Sequence, residues 1–394
     1  MNKLPEPDAA GKKHSAKLCA RIRRRIARGG GRISFAQFME DALYAPELGY
    51  YAAGVAKFGA DGDFTTAPQL GGVIARCLAV QCAEAFAELE LTDGDLLEFG
   101  AGSGQLAADL LAAMDALNAT PRRYLIVETS AALRERQRET IASRGYEERV
   151  RWLEHAPREF CGIVFANELL DAMPAARFEM NARGRACELG VCVDAAGNFA
   201  WSRGEELPEE LQRRIKLHEE ETGAALADGY RGEIGLRAEK WVRDTGARIK
   251  RGALLLLDYG YPRREFYHAE RRDGTLMCHY RHFAHADPFF YPGLQDISAH
   301  IDFTAIRDAA HETGLATAGF ASQGAFLLSL GALDVLAESH DNDGDLRGQI
   351  ARAHEVRTLT MPQGMGELVK VIAFAKNCAL NLRGFQLRDR SGRL

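Results

Sequence analysis

The stretch Asp95-Leu96-Leu97-Glu98-Phe99-Gly100-Ala101-Gly102-Ser103-Gly104 runs straight into an Ala/Leu-rich segment that extends to about Leu117. A short apolar run, three alternating glycines and a helical pattern, in that order, predict the first strand, turn and helix of a parallel α/β sheet. The glycines permit a tight turn and let a ligand approach the backbone where a Cβ would intrude. At the carboxyl end of a strand, such a turn makes a nucleotide-type pocket.

The alternation continues outward. Tyr124–Glu128 reads as a second strand, Ala131 to Ser143 as a charged helix, Val150–Leu153 as a third strand and Gly162–Ala166 as a fourth. The fourth ends in Asn167-Glu168-Leu169-Leu170-Asp171, and a fifth strand, Ala253–Leu257, arrives only much later. The intervening stretch reads as a β-hairpin (Arg177 to Trp201) followed by one or two charged helices (Glu209 to Lys250). An insertion of that length between sheet strands is usually functional. Glu367 to Lys376 alternates like a final strand, and a helix is expected near Phe303 to Thr313. Upstream, Ile33 to about Glu90 reads as helices and loops, with Ser34 placed to cap the helix after it. The chain is therefore expected to comprise an N-terminal helical region (1–90), a first part of the sheet (91–175), an insertion that binds the partner molecule (176–250) and a second part of the sheet (251–394).

Two ligand classes compete for the glycine turn. Read from Gly102, the chain gives G-S-G-Q-L-A, which satisfies the dinucleotide fingerprint and keeps an NAD(P)-dependent oxidoreductase open. Two acids favour S-adenosyl-L-methionine instead. Glu98 stands two residues before Gly100, where a carboxylate suits a cationic methionine amino group and does not suit a pyrophosphate. Glu128 ends the next strand, where it can accept both ribose hydroxyls, a contact either cofactor would make.

Composition narrows the class further. The chain has 394 residues, enough for two or three domains, with 46% hydrophobic and 27% charged residues, which excludes global disorder. A net charge of −5, from 55 acids against 50 bases, argues against nucleic acid as a partner. Eight cysteines occur without a C-x-x-C pair, so neither a zinc framework nor a disulfide scaffold is expected, and a reduced, cytoplasmic compartment follows (the mitochondrial matrix in a eukaryote). Gly314 to Leu333 carries no charge, but its four glycines read as buried strand, turn and helix rather than an integral membrane segment. Gly11 to Arg32 holds nine Lys/Arg and no acid, with Leu18, Ile22 and Ile26 on one face. This predicts an amphipathic helix whose basic side is a solvated face or a docking surface. No rule of composition sets the oligomeric state, which stays open; a homodimer is one arrangement the chain allows.

Six motifs occur in order: G-D-F-T-T-A-P (62–68), E-F-G-A-G-S-G (98–104), N-E-L-L-D-A-M-P (167–174), D-Y-G-Y (258–261), G-T-L-M-C-H-Y-R-H (274–282) and P-G-L-Q-D-I-S-A-H-I-D-F (292–303). Together they resemble the MidA-type methyltransferases that use S-adenosyl-L-methionine, a family that includes the mitochondrial complex I assembly-factor arginine methyltransferase. The resemblance spans about Ile33 to Lys376. It implies a Rossmann-like class I methyltransferase sheet with an N-terminal helical region and an inserted α+β substrate-binding region. It also implies S-adenosyl-L-methionine as cofactor and a protein arginine substrate, a respiratory complex I subunit. Gly62, Asp63, Phe64 and Thr65 would line the cofactor pocket with Glu98, Gly100, Ala101, Gly102, Ser103, Gly104 and Glu128.

An arginine acceptor sets a chemical problem, because guanidinium is cationic and its lone pairs are delocalised. Two carboxylates can grip its fork and draw charge from the attacking nitrogen. Placement after the fourth strand, together with the resemblance, assigns Glu168 as the principal partner, Asp171 as the second and Asn167 as an orienting group. The bland alternative is that Asn167 and Glu168 cap a following helix. An assembly chaperone that binds the cofactor without turnover is the non-enzymatic alternative. His279, His282 and His285 are spaced three apart, but Pro288, Pro292 and Gly293 predict a loop there, better suited to acceptor binding than to a metal.

Overall fold

The computed structural model describes residues 4–53, 72–90, 94–337 and 346–394. They fall into two units: one gathers Met1–Phe64, Leu170–Glu239 and Tyr261–Thr304, the other Thr65–Leu169, Lys240–Gly260 and Ala305–Leu394.

The second unit carries the parallel sheet. Its strands lie in the order Ala316–Ser322, Val369–Lys376, Ile249–Tyr261, Phe160–Asn167, Asp95–Phe99, Arg123–Val127, Val150–Leu153. The last five of these pair in parallel, while Val369–Lys376 runs antiparallel to both of its neighbours. From Asp95–Phe99 the chain first builds outward through Arg123–Val127 to Val150–Leu153. It then returns to place Phe160–Asn167 on the other side. The strand order thus reverses between Asp95–Phe99 and Phe160–Asn167, and ligands of open α/β sheets bind at the carboxyl ends beside such a reversal. All five residues of the motif strand are buried, as expected of a strand covered on both faces. Helices Val73–Glu88 and Gln105–Ala116 supply Leu78, Phe86, Leu106 and Leu111 to the core that holds the sheet. The uncharged segment 314–333 is a strand and a helix, Ala316–Ser322 and Gln323–Ser329, as its glycines suggest. Among the described residues no helix is long and apolar enough to cross a membrane.

The first unit is α+β. The expected hairpin is larger: Ala176–Met180, Ala186–Val193 and Phe199–Glu206 form an antiparallel meander, extended on its flanks by Arg231–Ile234 and Arg32–Ser34. Arg-Gly-Glu-Ile has no alternating apolar pattern; it becomes a strand because it pairs with Ala176–Met180 and Arg231 reaches Glu179 at 2.9 Å. The helices Glu209–Thr222 and Leu236–Arg248 stand on either side of that strand. The histidine segment is not a loop throughout. Met277–Tyr280 pairs with Phe283–His285 and with Asp296–Ser298. Arg281 and His282 take the positive φ values (47° and 65°) of the two-residue turn, positions where Asn-Gly would have signalled a hairpin. Leu276, Cys278 and Ile297 pack with Leu18, Ile22 and Phe38, so this segment belongs with the N-terminal helices and not with the parallel sheet as expected. Conversely, helix Val73–Glu88 leaves the N-terminal region and joins the sheet core.

Ser34 caps helix Phe35–Tyr44 in a reciprocal box, its Oγ accepting from the Gln37 amide at 3.1 Å while Gln37 Oε1 accepts from the Ser34 amide at 3.1 Å. Ser34→Ala is expected to lower the unfolding free energy by about 1 kcal/mol in urea denaturation, without altering ligand binding at the parallel sheet.

Candidate active site

The glycine turn is built as its sequence requires. Gly100, Gly102 and Gly104 all have positive φ (70°, 54° and 82°), and the Gly104 amide donates to the Ala101 carbonyl at 2.8 Å to close the turn. Two of the three positions also exclude a Cβ on contact grounds. One on Gly104 would lie 3.0 Å from the Gln137 Cα, and one on Gly100 would lie 2.9 Å from a Leu169 methyl. Gly104 is the N-cap of helix Gln105–Ala116 and brings no side chain to it, so the helix presents its first amides at the turn.

Glu98 and Glu128 stand at the ends of adjacent strands, and neither faces bulk water: Glu98 is 2% exposed and Glu128 7%. Tyr124 donates its hydroxyl to Glu98 Oε2 at 2.7 Å. Burial pushes the Glu98 carboxyl up to about 8; the Tyr124 hydroxyl opposes this and the Glu128 charge adds to it. Burial also raises Glu128, against the hydrogen bonds it accepts from the Ser130 amide (2.8 Å) and from Gln137 Nε2 (3.1 Å).

Gln137 is a residue that sequence reasoning passed over. It is fully buried, and it ties the site together by three hydrogen bonds. The Trp152 indole can only donate, and it does so to Gln137 Oε1 at 3.0 Å. That orients the amide so that Nε2 serves both Glu128 Oε2 and the Gly102 carbonyl, each at 3.1 Å. The available signal was positional: Leu133, Gln137 and Ile141 recur at i, i+4, i+8 of an otherwise charged helix, placing the glutamine in an inward row.

The remaining candidate groups follow the strand on the other side of the reversal, Phe160–Asn167. Asn167 ends Phe160–Asn167, and Glu168 follows with φ of 51°, a left-handed conformation that costs a non-glycine residue on the order of 1 kcal/mol or more. The Glu168 amide donates to the Leu257 carbonyl at 2.8 Å, and Asn167 Nδ2 donates to Glu168 Oε1 at 3.3 Å. Asp258, quoted above only within a motif, holds this turn from the neighbouring strand. Its Oδ2 accepts from the Leu169 amide at 3.1 Å and its Oδ1 from the Tyr259 amide at 2.9 Å. No helix begins after Glu168; the chain turns instead, so helix capping is not what Asn167 and Glu168 do.

Asp171 lies in the other unit, buried, with its backbone carbonyl accepting from the Ala299 amide at 2.9 Å. Gly62, Asp63, Phe64 and Thr65 lie outside the described residues. Ala101 is buried within the turn, and Ser103 Oγ accepts from the Gln105 amide at 3.4 Å. The structure therefore brings Glu98, the glycine turn, Glu128, Asn167 and Glu168 to one edge of one sheet.

These groups fit S-adenosyl-L-methionine and do not fit a diphosphate. Glu98 would hold the amino group, the helix amides beyond Gly104 the carboxylate, and Glu128 the ribose diol with its remaining lone pairs. A diphosphate would instead meet a buried acid at the mouth of the turn.

Comparison with known proteins bears on the same choice. A family model described as S-adenosyl-L-methionine-dependent methyltransferase matches residues 77–321. A superfamily member from Burkholderia thailandensis, solved bound to S-adenosyl-homocysteine, is similar over 100% of both chains, with 43% identity and a TM-score of 0.93. A native structure from the same organism gives 42% identity and a TM-score of 0.91, again over 100% of both chains. Among curated proteins, the Danio rerio protein arginine methyltransferase NDUFAF7, mitochondrial, is 29% identical over 374 residues, covering 86% of this chain and 82% of that one. The Drosophila melanogaster homologue is 26% identical over 357 residues, covering 82% and 77%.

The raised Glu98 carboxyl has a definite sign. Between the ordinary carboxylate range and about 8, the folded chain holds a proton that the unfolded chain has lost, so stability falls as pH rises through that window. Glu98→Gln is expected to flatten this fall in melting temperature. In the native protein, an ammonium group arriving beside Glu98 expels the proton. Calorimetry of S-adenosyl-homocysteine binding near neutral pH, in two buffers of different ionisation heat, should therefore register a release that Glu98→Gln abolishes. Gln137→Leu strands the Gly102 carbonyl and one Glu128 oxygen, and should weaken the same binding by about tenfold or more.

Proposed function

We propose, from the premise that the chain belongs to the family of S-adenosyl-L-methionine-dependent methyltransferases, that its methyl acceptor is an arginine side chain of a protein. The observation that carries this reading is the strained Glu168 turn. Its neighbour Leu169 packs against Gly100, so the acid sits beside the cofactor turn on the same sheet edge. Left-handed backbone at a non-glycine residue persists where surrounding structure holds it, and here the Leu257 carbonyl and Asp258 do so. The names of the curated relatives point to the same acceptor.

When bound, S-adenosyl-L-methionine supplies a methyl group on a positively charged sulfur. The remaining work belongs to the chain. Glu168 receives the guanidinium through charge-assisted hydrogen bonds, countering the repulsion between two cations and concentrating electron density on the nitrogen to be alkylated. Asn167 holds one Glu168 oxygen through its amide and so fixes the orientation of the carboxylate. As the nitrogen is alkylated it sheds a proton, and Glu168 is placed to accept it. Asp171 is the second carboxylate of this reading. Alignment of nucleophile and methyl carbon supplies much of the remaining acceleration. We further propose a respiratory complex I subunit as the protein acceptor, and a reduced compartment, the cytoplasm, for the enzyme. The eight free cysteines suit such a compartment.

Two experiments test the reading. Labelled methyl from S-adenosyl-L-methionine, incubated with lysate of a strain lacking this gene, should appear on an arginine when modified peptides are mapped; label on another side chain overturns the acceptor. Glu168→Gln should lower kcat by two orders of magnitude or more while leaving S-adenosyl-homocysteine affinity within about twofold. Unchanged turnover removes Glu168 from the chemistry, and failure of the wild-type protein to transfer any methyl supports the chaperone alternative.

A further inference from the structure

The basic N-terminal helix, Ala9–Arg28, has a pattern that the methyl-transfer site does not use. Its inner face is locked into the first unit: Leu18 and Ile22 are fully buried, Ile26 and Ser15 nearly so, and Asp8 caps the start by accepting from the Gly11 amide at 2.7 Å. Nine Lys/Arg lie between Gly11 and Arg32, and five of them are engaged within that unit. Lys12 pairs with Glu6, Arg21 and Arg25 with Asp41, and Arg32 with Glu188. Arg23 donates to the Gly197 carbonyl and lies over the Phe199 ring. The other four, Lys13, Lys17, Arg24 and Arg28, are exposed and have no hydrogen bond or ion pair among the described residues.

These four are not scattered. At about 100° per residue they fall within a sector of roughly 60°, and at about 1.5 Å per residue they extend along roughly 22 Å of helix. The sector lies opposite the buried row, so the fold points all four outward in one line. We propose that this line of cations is a docking surface for an anionic lipid bilayer. Three features select that occupant. On one side the neighbouring exposed positions are Ala16, Ala20 and Ala27, which offer no large side chain to anchor a protein partner, and on the other stands Arg21, already paired with Asp41. They offer no aromatic or amide group to stack on or read a base, as a nucleic-acid binder would. A lipid surface asks only for clustered positive charge, because its headgroups move laterally to meet it. The apolar face of the helix is consumed by the core, so binding is electrostatic, superficial and reversible. This inference stands independently of the arginine reading above.

The test is sedimentation of the full chain with vesicles of phosphatidylcholine, with and without phosphatidylglycerol. The protein should pellet only with the anionic vesicles and should be released by high salt. Each cation near such a surface is worth about fivefold in partitioning, so K13Q/K17Q/R24Q/R28Q should lower it on the order of a few hundredfold. K12Q, which removes a paired cation off the line, should leave it unchanged. An unchanged circular dichroism spectrum and urea midpoint show that the quadruple variant is folded, and the salt titration of the wild-type protein tests the same surface without any substitution. Equal partitioning to neutral and anionic vesicles overturns the proposal. So does undiminished binding by the quadruple variant, or displacement from vesicles by a duplex RNA that binds more tightly.

Discussion

Two carboxylates buried at the ends of neighbouring parallel strands set the terms for the rest of the site. A low-dielectric interior tolerates an ionised acid only if it is hydrogen-bonded or neutralised, and the two groups here take different routes. Glu128 accepts from a backbone amide and from Gln137. Glu98 accepts from the Tyr124 hydroxyl and holds its proton to about 8. The Glu128 charge raises the cost of ionising Glu98 further. A cationic ligand relieves that tension where an anionic one would deepen it. The preference for a methionine-derived cofactor over a dinucleotide is therefore a consequence of charge as much as of shape.

Rigidity at this edge comes from side chains that touch no reacting atom. Gln137 joins the turn carbonyl to Glu128, and Trp152 decides which way its amide points. Asp258 plays the corresponding part after Phe160–Asn167, pinning the Leu169 amide so that Glu168 keeps an unfavourable backbone conformation. Both are buried polar groups, Gln137 on the helix Ala131–Ser143 and Asp258 on the strand Ile249–Tyr261, and each ties down the backbone of a turn. Pre-organisation of this kind is what lets a transfer reaction proceed by alignment rather than by elaborate acid–base machinery.

The first unit follows different rules. Its antiparallel strands carry arginine and glutamate and are held by cross-strand ion pairs such as those of Glu179 with Arg203 and Arg231. Arg177 is buried against Glu233 and over the Trp201 ring, so even its interior carries charge. Such a construction leaves little hydrophobic periodicity in the chain. The basic helix shares this habit: Lys12, Arg21 and Arg25 are ion-paired and Arg23 is held by the Gly197 carbonyl and the Phe199 ring, and what is left over on the helix forms a line.

The sequence by itself determined the parallel sheet and its glycine turn. Asp95–Phe99 and Val150–Leu153 were legible to the residue as short, mostly apolar runs between breakers, although only the first is buried throughout and the second is an edge strand with Arg151 exposed. The two acids were legible for a related reason, since a charge inside such a run demands a purpose. The capping of helix Phe35–Tyr44 by Ser34 was local chemistry and equally readable. Tertiary structure alone decided the rest. Arg231–Ile234 is a strand only because a partner strand pairs with it, and the Arg281-His282 turn exists because the flanking strands force it. Gln137, Asp258 and the four unpaired cations take their meaning from groups far away in the chain. A residue's period reveals which face it occupies; its hydrogen-bond partner, or the lack of one, is settled only when distant segments meet.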